Sequence, residues 1–168
     1  MLDAALHARA EALVAAYTKA GLRIATAESC TGGLVAGLLT AVPGSSAVLE
    51  RGFVTYSNEA KTEAIGVAAD LVAAHGAVSE PVARAMAVGA LAASLADVAV
   101  AITGIAGPGG GSAGKPVGLV HFGLAAKGRP VVHRERRFGD AGRAEIRRLA
   151  VAEALDLLDE ALPANSGG

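Results

Sequence analysis

The order in which strand-like and helix-like segments follow one another is the feature that most constrains this fold. Three apolar segments with strand character, 22–27, 48–56 and 98–103, are separated by segments whose apolar residues recur at helical spacing. Two further strand-like segments, 117–126 and 131–138, flank a short turn and predict an antiparallel hairpin. Helices that alternate with strands pack on both faces of a sheet. The chain therefore predicts an α/β fold around a mixed β-sheet that is covered on both sides.

The core must be built from small and aliphatic side chains. Of the 168 residues, 52% are hydrophobic but only 3% are aromatic, and 22 are glycine. Such side chains fill an interior only when the helices and the sheet lie close together. We expect one domain over residues 1–162, followed by a disordered tail at 163–168. The predicted helices are 2–20, 34–39, 58–65, 68–74, 79–95 and 146–161.

Composition and charge argue against several classes of protein. The single cysteine, Cys30, excludes an internal disulfide and a cysteine-cluster metal site, and it favours a reducing cytoplasm. The most apolar run, 85–96, is too short to span a bilayer. The net charge is −1 and aromatic residues are few, so neither a membrane nor nucleic acid is an expected partner. The four histidines lack ligand spacing, and we predict no metal and no cofactor.

Basic residues are concentrated near the C-terminus. Seven of the fifteen lysines and arginines are arginines between residues 129 and 148. A solvated strand and helix face is the ordinary interpretation of such a run. The alternative is that one or two of these guanidinium groups hold a phosphate or carboxylate on a small substrate.

The segment 26–33, Thr-Ala-Glu-Ser-Cys-Thr-Gly-Gly, has the composition of a reaction centre. A strand precedes it and a helix follows, so Ser29 and Cys30 are predicted to lie in a strand-to-helix turn. Backbone N–H groups at such a turn suit a phosphate, a carboxylate or a developing oxyanion. The alternative is that a hydroxyl only caps the helix and that the glycines only permit the turn.

A second candidate segment, 56–61, ends a strand and begins a helix. Lys61 falls in the first turn of that helix, where the helix dipole disfavours an ammonium group and lowers its pKa. A neutral lysine could take the proton from Ser29, and Tyr56 could orient or relay that proton. An exposed helix lysine is the ordinary alternative.

The glycine-rich segment 104–114 nearly matches a phosphate-binding P-loop together with Lys115 and Pro116. Pro116 stands where that motif needs a hydroxyl, and a strand follows where it needs a helix, so an ATPase is not expected. The segment still follows a strand end, where open α/β sheets bind ligands. Thr103 and Gly104 are therefore candidate binding residues, although Thr103 has a turn-capping role as its alternative.

Four ordered segments together resemble the CinA C-terminal domain family. They are AESCTGG at 27–33, YSNEAK at 56–61, GAVSEPVA at 76–83 and ITGIAGPGGGSAGKPVGLV at 102–120. The resemblance extends over about residues 5–160 and implies a three-layer α/β/α sandwich. It also implies hydrolysis of the carboxamide of nicotinamide mononucleotide to the acid and ammonia, with Ser29, Lys61 and Tyr56 in the positions of the family's motif residues. Longer members of the family carry an additional N-terminal domain. We do not assign the activities of that domain to this chain.

The residues and the resemblance together predict a metal-free serine amidohydrolase that acts on a pyridine mononucleotide. Ser29 is the predicted nucleophile, Lys61 its base and Tyr56 an assisting group. Relatives have glycine, aspartate and arginine in succession after the last strand, whereas 139–143 here reads Gly-Asp-Ala-Gly-Arg. The predicted substrate-binding residues are Cys30, Thr31, Gly32, Gly33, Thr103, Gly104 and Arg143.

Two alternatives remain open from the sequence. In one, Cys30 is the nucleophile, and Glu28 and Lys61 serve as acid and base. In the other, the same turn and glycine-rich segment bind a nucleotide without cleaving a bond. Apolar helix faces on a small alanine-rich domain also favour self-association, so a homo-oligomer is an expectation.

Overall fold

The computed structural model describes residues 2–164 as a sheet between two layers of helices. The part of the predicted tail from residue 165 onward lies outside the described residues. The helices are α1 (Ala4–Ala20), α2 (Leu34–Thr40), α3 (Asn58–Ile65), α4 (Ala69–His75), α5 (Glu80–Ala92) and α6 (Arg143–Glu160). The strands are β1 (Ile24–Glu28), β2 (Leu49–Val54), β3 (Val98–Gly104), β4 (Leu119–Ala126) and β5 (Val132–Arg137).

The five strands lie in the order β2-β1-β3-β4-β5. β1 is parallel to both β2 and β3, because helical crossovers connect these strands. β4 runs antiparallel to β3 and to β5, which confirms the predicted hairpin. The sheet is therefore mixed, as the order of segments predicted.

Side chains on the two faces of the sheet belong to two separate apolar clusters. Ile24 of β1 packs in a cluster with α1, α2 and α6. Ala25 and Ala27, which point the other way because side chains alternate along a strand, pack with α3, α4 and α5. The predicted α/β/α sandwich is confirmed. Among the described helices, none is both long and apolar enough to cross a membrane.

Most predicted element boundaries lie within a few residues of the observed ones. Ser57 caps α3, since its hydroxyl accepts the N–H of Ala60 at 3.0 Å. The prediction that α5 extends to Leu95 is wrong, because this helix ends at Ala92. The next residues form other bonds that end it: the Ser94 hydroxyl donates to the Leu91 carbonyl, and the Leu95 N–H donates to Glu50.

Glycine permits a close contact between α5 and the end of α3. A Cβ on Gly89 of α5 would overlap the carbonyl group of Ile65, the last residue of α3. Gly37 on α2, by contrast, has no atom within 4 Å of a Cβ in the same test. The position of α3 on the sheet, and of every residue that α3 carries, therefore depends on the missing side chain at residue 89.

We expect Gly89→Ala to lower the free energy of unfolding by about 1 to 3 kcal/mol, because the added methyl group must push α3 away from α5. The matched variant Gly37→Ala should raise it by about 0.5 to 1 kcal/mol, since alanine is the better residue inside an open helix turn. Urea unfolding of both variants measures the difference. Equal stability of the two variants would contradict the packing argument.

Candidate active site

Ser29 follows directly after β1 and is held by the neighbouring strand. Its backbone N–H donates to the carbonyl of Ile102 on β3 at 3.0 Å, which continues the parallel pairing of Glu28 with Ile102 by one residue. Because side chains alternate, Ser29 and Glu28 point to opposite faces of the sheet. Ser29 is half-buried and faces the layer that contains α3.

Lys61 of α3 reaches the Ser29 hydroxyl. Its Nζ lies 3.2 Å from Ser29 Oγ, 2.7 Å from the carbonyl oxygen of Thr55 and 3.4 Å from that of Ser57. The side chain is 1% exposed, so the ordinary interpretation as a solvated helix lysine is wrong. No carboxylate of residues 2–164 forms an ion pair with it.

Burial lowers the pKa of Lys61, because an ammonium group loses its hydration in the protein interior. Negative charge on Cys30 would act in the opposite direction and is the smaller effect. The three contacts are compatible with both charge states of the amine. The charged form donates all three N–H bonds, to the two carbonyl oxygens and to Ser29 Oγ, whereas the neutral form can donate two to the carbonyl oxygens and accept the proton of Ser29 with its lone pair.

Glu28 occupies the N-terminus of α2. Its carboxylate is fully buried and accepts backbone N–H groups of Gly33, Val35 and Ala36 at 3.1, 3.1 and 2.9 Å. The N-cap residue, Gly33, has no side chain that could accept these N–H groups. Glu28, five residues earlier, supplies the cap instead. The positive end of α2 is thus neutralised by the protein itself, where the sequence predicted a ligand.

Two backbone N–H groups of the turn donate to no other backbone group among residues 2–164. The N–H of Gly32 donates to the Ser29 carbonyl at 3.0 Å, and that of Gly33 is bonded to Glu28. Within residues 2–164, neither the N–H of Cys30 nor that of Thr31 donates to the backbone of another residue. Gly32 and Gly33 have φ values of +58° and +98°, which favour glycine, so they shape the turn. Of the four predicted substrate-binding residues in this turn, only Cys30 and Thr31 therefore have a backbone N–H that is not bonded to another residue among residues 2–164.

The Cys30 thiol is poorly suited to attack a substrate. Its side chain is 7% exposed, and burial raises the pKa of the thiol to about 12. A thiol in that state carries almost no thiolate at neutral pH. Glu28, the acid or base of the cysteine alternative, already accepts three backbone hydrogen bonds on the other face of the sheet.

Tyr56 and Arg143 meet above the turn. Arg143, the first residue of α6, donates to the Tyr56 hydroxyl at 3.1 Å and to the carbonyl of Gly107 in the glycine-rich segment at 2.8 Å. Tyr56 is 60% exposed, and among the described residues its hydroxyl has no hydrogen bond to Ser29 or Lys61. In the structure Tyr56 is therefore hydrogen-bonded to Arg143, whereas the sequence predicted that it orients or relays the proton taken by Lys61.

Thr103 and Gly104 end β3 beside Ser29. The Thr103 hydroxyl donates to the carbonyl of Ala77 at 2.8 Å, and its side chain is 1% exposed. This bond is a structural role, but it joins Thr103 to a distant segment and is not the turn-capping role that the sequence suggested. Gly104 lies against Val120, where a Cβ would come within 2.7 Å of a methyl group. Both residues border the site by position, and their hydrogen-bonding groups point to neighbouring segments.

Among residues 2–164, neither His121 nor His133 forms a hydrogen bond with Ser29 or Lys61, although His121 on β4 pairs with Thr103 on β3. His121 and His133 share a hydrogen bond of 2.9 Å between β4 and β5. Burial lowers the pKa of both imidazoles, so both are neutral at physiological pH. In residues 2–164, no group of three or more histidine, cysteine, aspartate or glutamate side chains could hold a metal ion. The metal-free reaction itself stays a prediction.

Sequence reasoning missed the roles of Glu28 and Arg147. A helix that begins at glycine without a hydroxyl or carboxylate at its N-cap needs a remote acceptor, and that signal could have identified Glu28. Arg147 donates from Nε to the Cys30 carbonyl at 3.0 Å and from Nη2 to the Thr31 carbonyl at 3.2 Å. Nothing in the sequence separates it from the other C-terminal arginines.

Comparison with known proteins shows which family the chain belongs to. The model of the CinA C-terminal domain family matches residues 6–162. The chain belongs to this family. It is 54% identical over 159 residues to the nicotinamide-nucleotide amidohydrolase PncC of Escherichia coli K12, covering 94% of this chain and 95% of that protein.

Other members of the CinA family are longer or have been solved as crystal structures. A CinA-like protein of Anaeromyxobacter dehalogenans is 57% identical over 151 residues, which cover 89% of this chain but 36% of that protein. The crystal structure of the competence/damage inducible protein CihA from Agrobacterium tumefaciens matches with a TM-score of 0.93 and 51% identity, over 95% of this chain and 97% of that one. The CinA fold is therefore shared along nearly the whole chain.

We expect Glu28→Gln to lower the free energy of unfolding by about 2 to 3 kcal/mol, because the amide keeps one acceptor and leaves a buried backbone N–H without a partner. Glu63→Gln on the exposed side of α3 is the matched control and should change stability little. Chemical denaturation measures both variants. A loss no greater than that of the control would contradict the capping role.

Lys61→Met should remove a dependence of stability on pH. In the wild type, the folded-state pKa of Lys61 is below the unfolded value of about 10.4, so the unfolded chain binds the proton more strongly. The free energy of unfolding therefore rises as the pH increases from the folded pKa to the unfolded pKa. The advantage of Lys61→Met should be greatest below the folded pKa and should shrink as the pH approaches 10.4. Urea unfolding at a series of pH values checks this, and a difference independent of pH would contradict it.

Proposed function

We propose that this chain is a nicotinamide-nucleotide amidohydrolase, which converts nicotinamide mononucleotide and water into nicotinate mononucleotide and ammonia with Ser29 and Lys61 as its catalytic pair. The observation that carries the proposal is the 3.2 Å contact between Ser29 Oγ and a buried lysine without a carboxylate partner in residues 2–164. The relationship to PncC of Escherichia coli supports the substrate.

The first half of the reaction forms an acyl-enzyme. Neutral Lys61 takes the proton of the Ser29 hydroxyl while Oγ attacks the carboxamide carbon. The carbonyl oxygen then carries the negative charge. When this tetrahedral intermediate collapses, the Lys61 ammonium gives its proton to the amide nitrogen, the carbon–nitrogen bond breaks, and ammonia leaves.

The N–H groups of Cys30 and Thr31 are the proposed donors to the oxyanion. Both belong to the turn that carries Ser29, and neither donates to the backbone of another residue within residues 2–164. Donors that are fixed before the reaction stabilise the developing charge without reorganisation. Gly32 and Gly33 contribute by giving the turn its shape, because their own N–H groups are bonded inside the protein.

The second half of the reaction returns the enzyme to its starting state. Water attacks the acyl carbon and gives its proton to Lys61, which is neutral again after the departure of ammonia. The bond between the carbon and Ser29 Oγ then breaks. Ser29 regains its proton from Lys61, and nicotinate mononucleotide is released.

Arg143 is the proposed ligand of the substrate phosphate. It has no carboxylate partner among residues 2–164, and it lies between Tyr56 and the glycine-rich segment. A guanidinium group can form two hydrogen bonds to a phosphate. In this proposal Tyr56 orients Arg143, and the segment beginning at Thr103 and Gly104 forms the wall beside the ribose.

We expect Ser29→Ala to reduce ammonia release from nicotinamide mononucleotide by about a thousandfold or more, because the nucleophile is lost. Lys61→Arg should have a comparable effect, since a guanidinium group stays protonated and cannot act as a base. Ser46→Ala, at an exposed position of the short 3₁₀ helix Ser45–Ala47, is the matched control and should keep wild-type activity. The assay measures ammonia in the presence of a metal chelator.

Three outcomes would contradict parts of this proposal. Activity that is lost in Cys30→Ala but kept in Ser29→Ala would assign the nucleophile to the thiol. Saturable binding of the mononucleotide by the wild type without ammonia release would assign a binding module. A rate of the wild type that falls as the pH rises from acid to neutral would exclude Lys61 as the base, because lowering the pH protonates it.

A further inference from the structure

Arg147 holds the backbone of the catalytic turn from the side of α6. Its Nε donates to the carbonyl of Cys30 at 3.0 Å, and its Nη2 donates to the carbonyl of Thr31 at 3.2 Å. A Cβ on Gly32 would lie 3.6 Å from the same Nη2, so the guanidinium group rests directly on the turn. Two consecutive peptide groups are thereby fixed by a single side chain.

The neighbouring arginine shows that this arrangement is specific. Arg148 pairs with Glu145 at 2.7 Å and with Asp3 at 3.6 Å. Arg147, one residue earlier, forms no ion pair within residues 2–164. Its Nε and Nη2 donate to backbone carbonyl groups of the turn instead.

Because a peptide group is planar, the contact of Arg147 with the Cys30 carbonyl also determines the direction of the Thr31 N–H. A trans peptide group is planar, and its C=O and N–H point in opposite directions. The carbonyl of Cys30 and the N–H of Thr31 belong to one such group. When Arg147 fixes the direction of that carbonyl, it also fixes the N–H of Thr31, which points away from the guanidinium.

The second hydrogen bond acts on the next peptide group. The Thr31 carbonyl shares its plane with the N–H of Gly32, which donates to the Ser29 carbonyl at 3.0 Å. Arg147 therefore also stabilises the bond that closes the turn around Ser29. Glu28 fixes the end of the same turn from the opposite side through Gly33.

We infer that Arg147 is a positioning residue, which orients the Thr31 N–H as an oxyanion donor for acyl transfer at Ser29. This inference rests on the proposed serine mechanism. Arg147 acts through the peptide group and does not touch the substrate, so its loss should impair the transition state more than substrate binding.

The test compares kcat and KM for ammonia release by the wild type, Arg147→Ala, Arg147→Lys and the control Arg148→Ala. We expect Arg147→Ala to lower kcat on the order of 100-fold, as when one oxyanion donor is lost, with KM near the wild-type value. Arg148→Ala should retain both constants. Arg147→Lys keeps the charge, but one ammonium group can orient only one of the two carbonyl groups well. Its kcat should therefore lie between those of the wild type and Arg147→Ala.

Chemical rescue separates positioning from general stability. Guanidinium ions at a low, non-denaturing concentration should restore part of kcat to Arg147→Ala and none to Ser29→Ala. A kcat of Arg147→Ala equal to that of the wild type, or a change confined to KM, would overturn the inference. If Arg147→Ala does not fold, an unchanged kcat in Arg147→Lys has the same consequence.

A second substrate distinguishes failure of this inference from failure of the proposed function. Ser29-dependent hydrolysis of p-nitrophenyl acetate also forms an oxyanion, and it requires no nucleotide recognition. If the wild type cleaves the ester but not the mononucleotide, the proposed substrate is wrong. The kcat and KM of the arginine variants are then compared with the ester as substrate. If the wild type cleaves neither compound, both the function and the inference are overturned.

Discussion

The buried carboxylate of Glu28 is the interaction on which the arrangement of the site depends. It accepts three backbone N–H groups from the beginning of α2, and so it anchors that helix to the end of β1. Since it neutralises the positive end of α2, the helix dipole is not available to a ligand. In the turn between the strand and the helix, the N–H groups of Cys30 and Thr31 donate to no other backbone group among the described residues.

Because side chains alternate along β1, Glu28 and Ser29 lie on opposite faces of the sheet and have different roles. Glu28 points toward α2, and the next residue, Ser29, points to the opposite face, where Lys61 of α3 meets it. A lysine on that face is buried among backbone carbonyl groups instead of carboxylates, which favours its neutral form. In the proposed mechanism, the nucleophile and its base thus depend on two different helix layers that a single strand holds together.

Sequence patterns were sufficient for the fold because periodicity and turn residues are local properties. They predicted the mixed sheet, the hairpin and the cap at Ser57, and they brought Ser29 and Lys61 together as one hypothesis. The burial of Lys61 depends on how closely α3 approaches α5 at Gly89, which no local pattern encodes. The contacts of Tyr56 with Arg143 and of Arg147 with the turn join distant parts of the chain, so they too required the assembled structure.

The hydrogen bond from the Ser29 N–H to Ile102 has a consequence for the order of folding. Ser29 and Lys61 both lie in the first half of the chain, yet the strand that fixes Ser29 is formed only by residues that follow α5. Pairing β1 with β3 closes a long loop, and contacts of that kind form slowly. A nascent chain that ends before β3 would contain Ser29 and Lys61 without the strand that aligns them, so the contact between these two residues would form late, together with completion of the sheet.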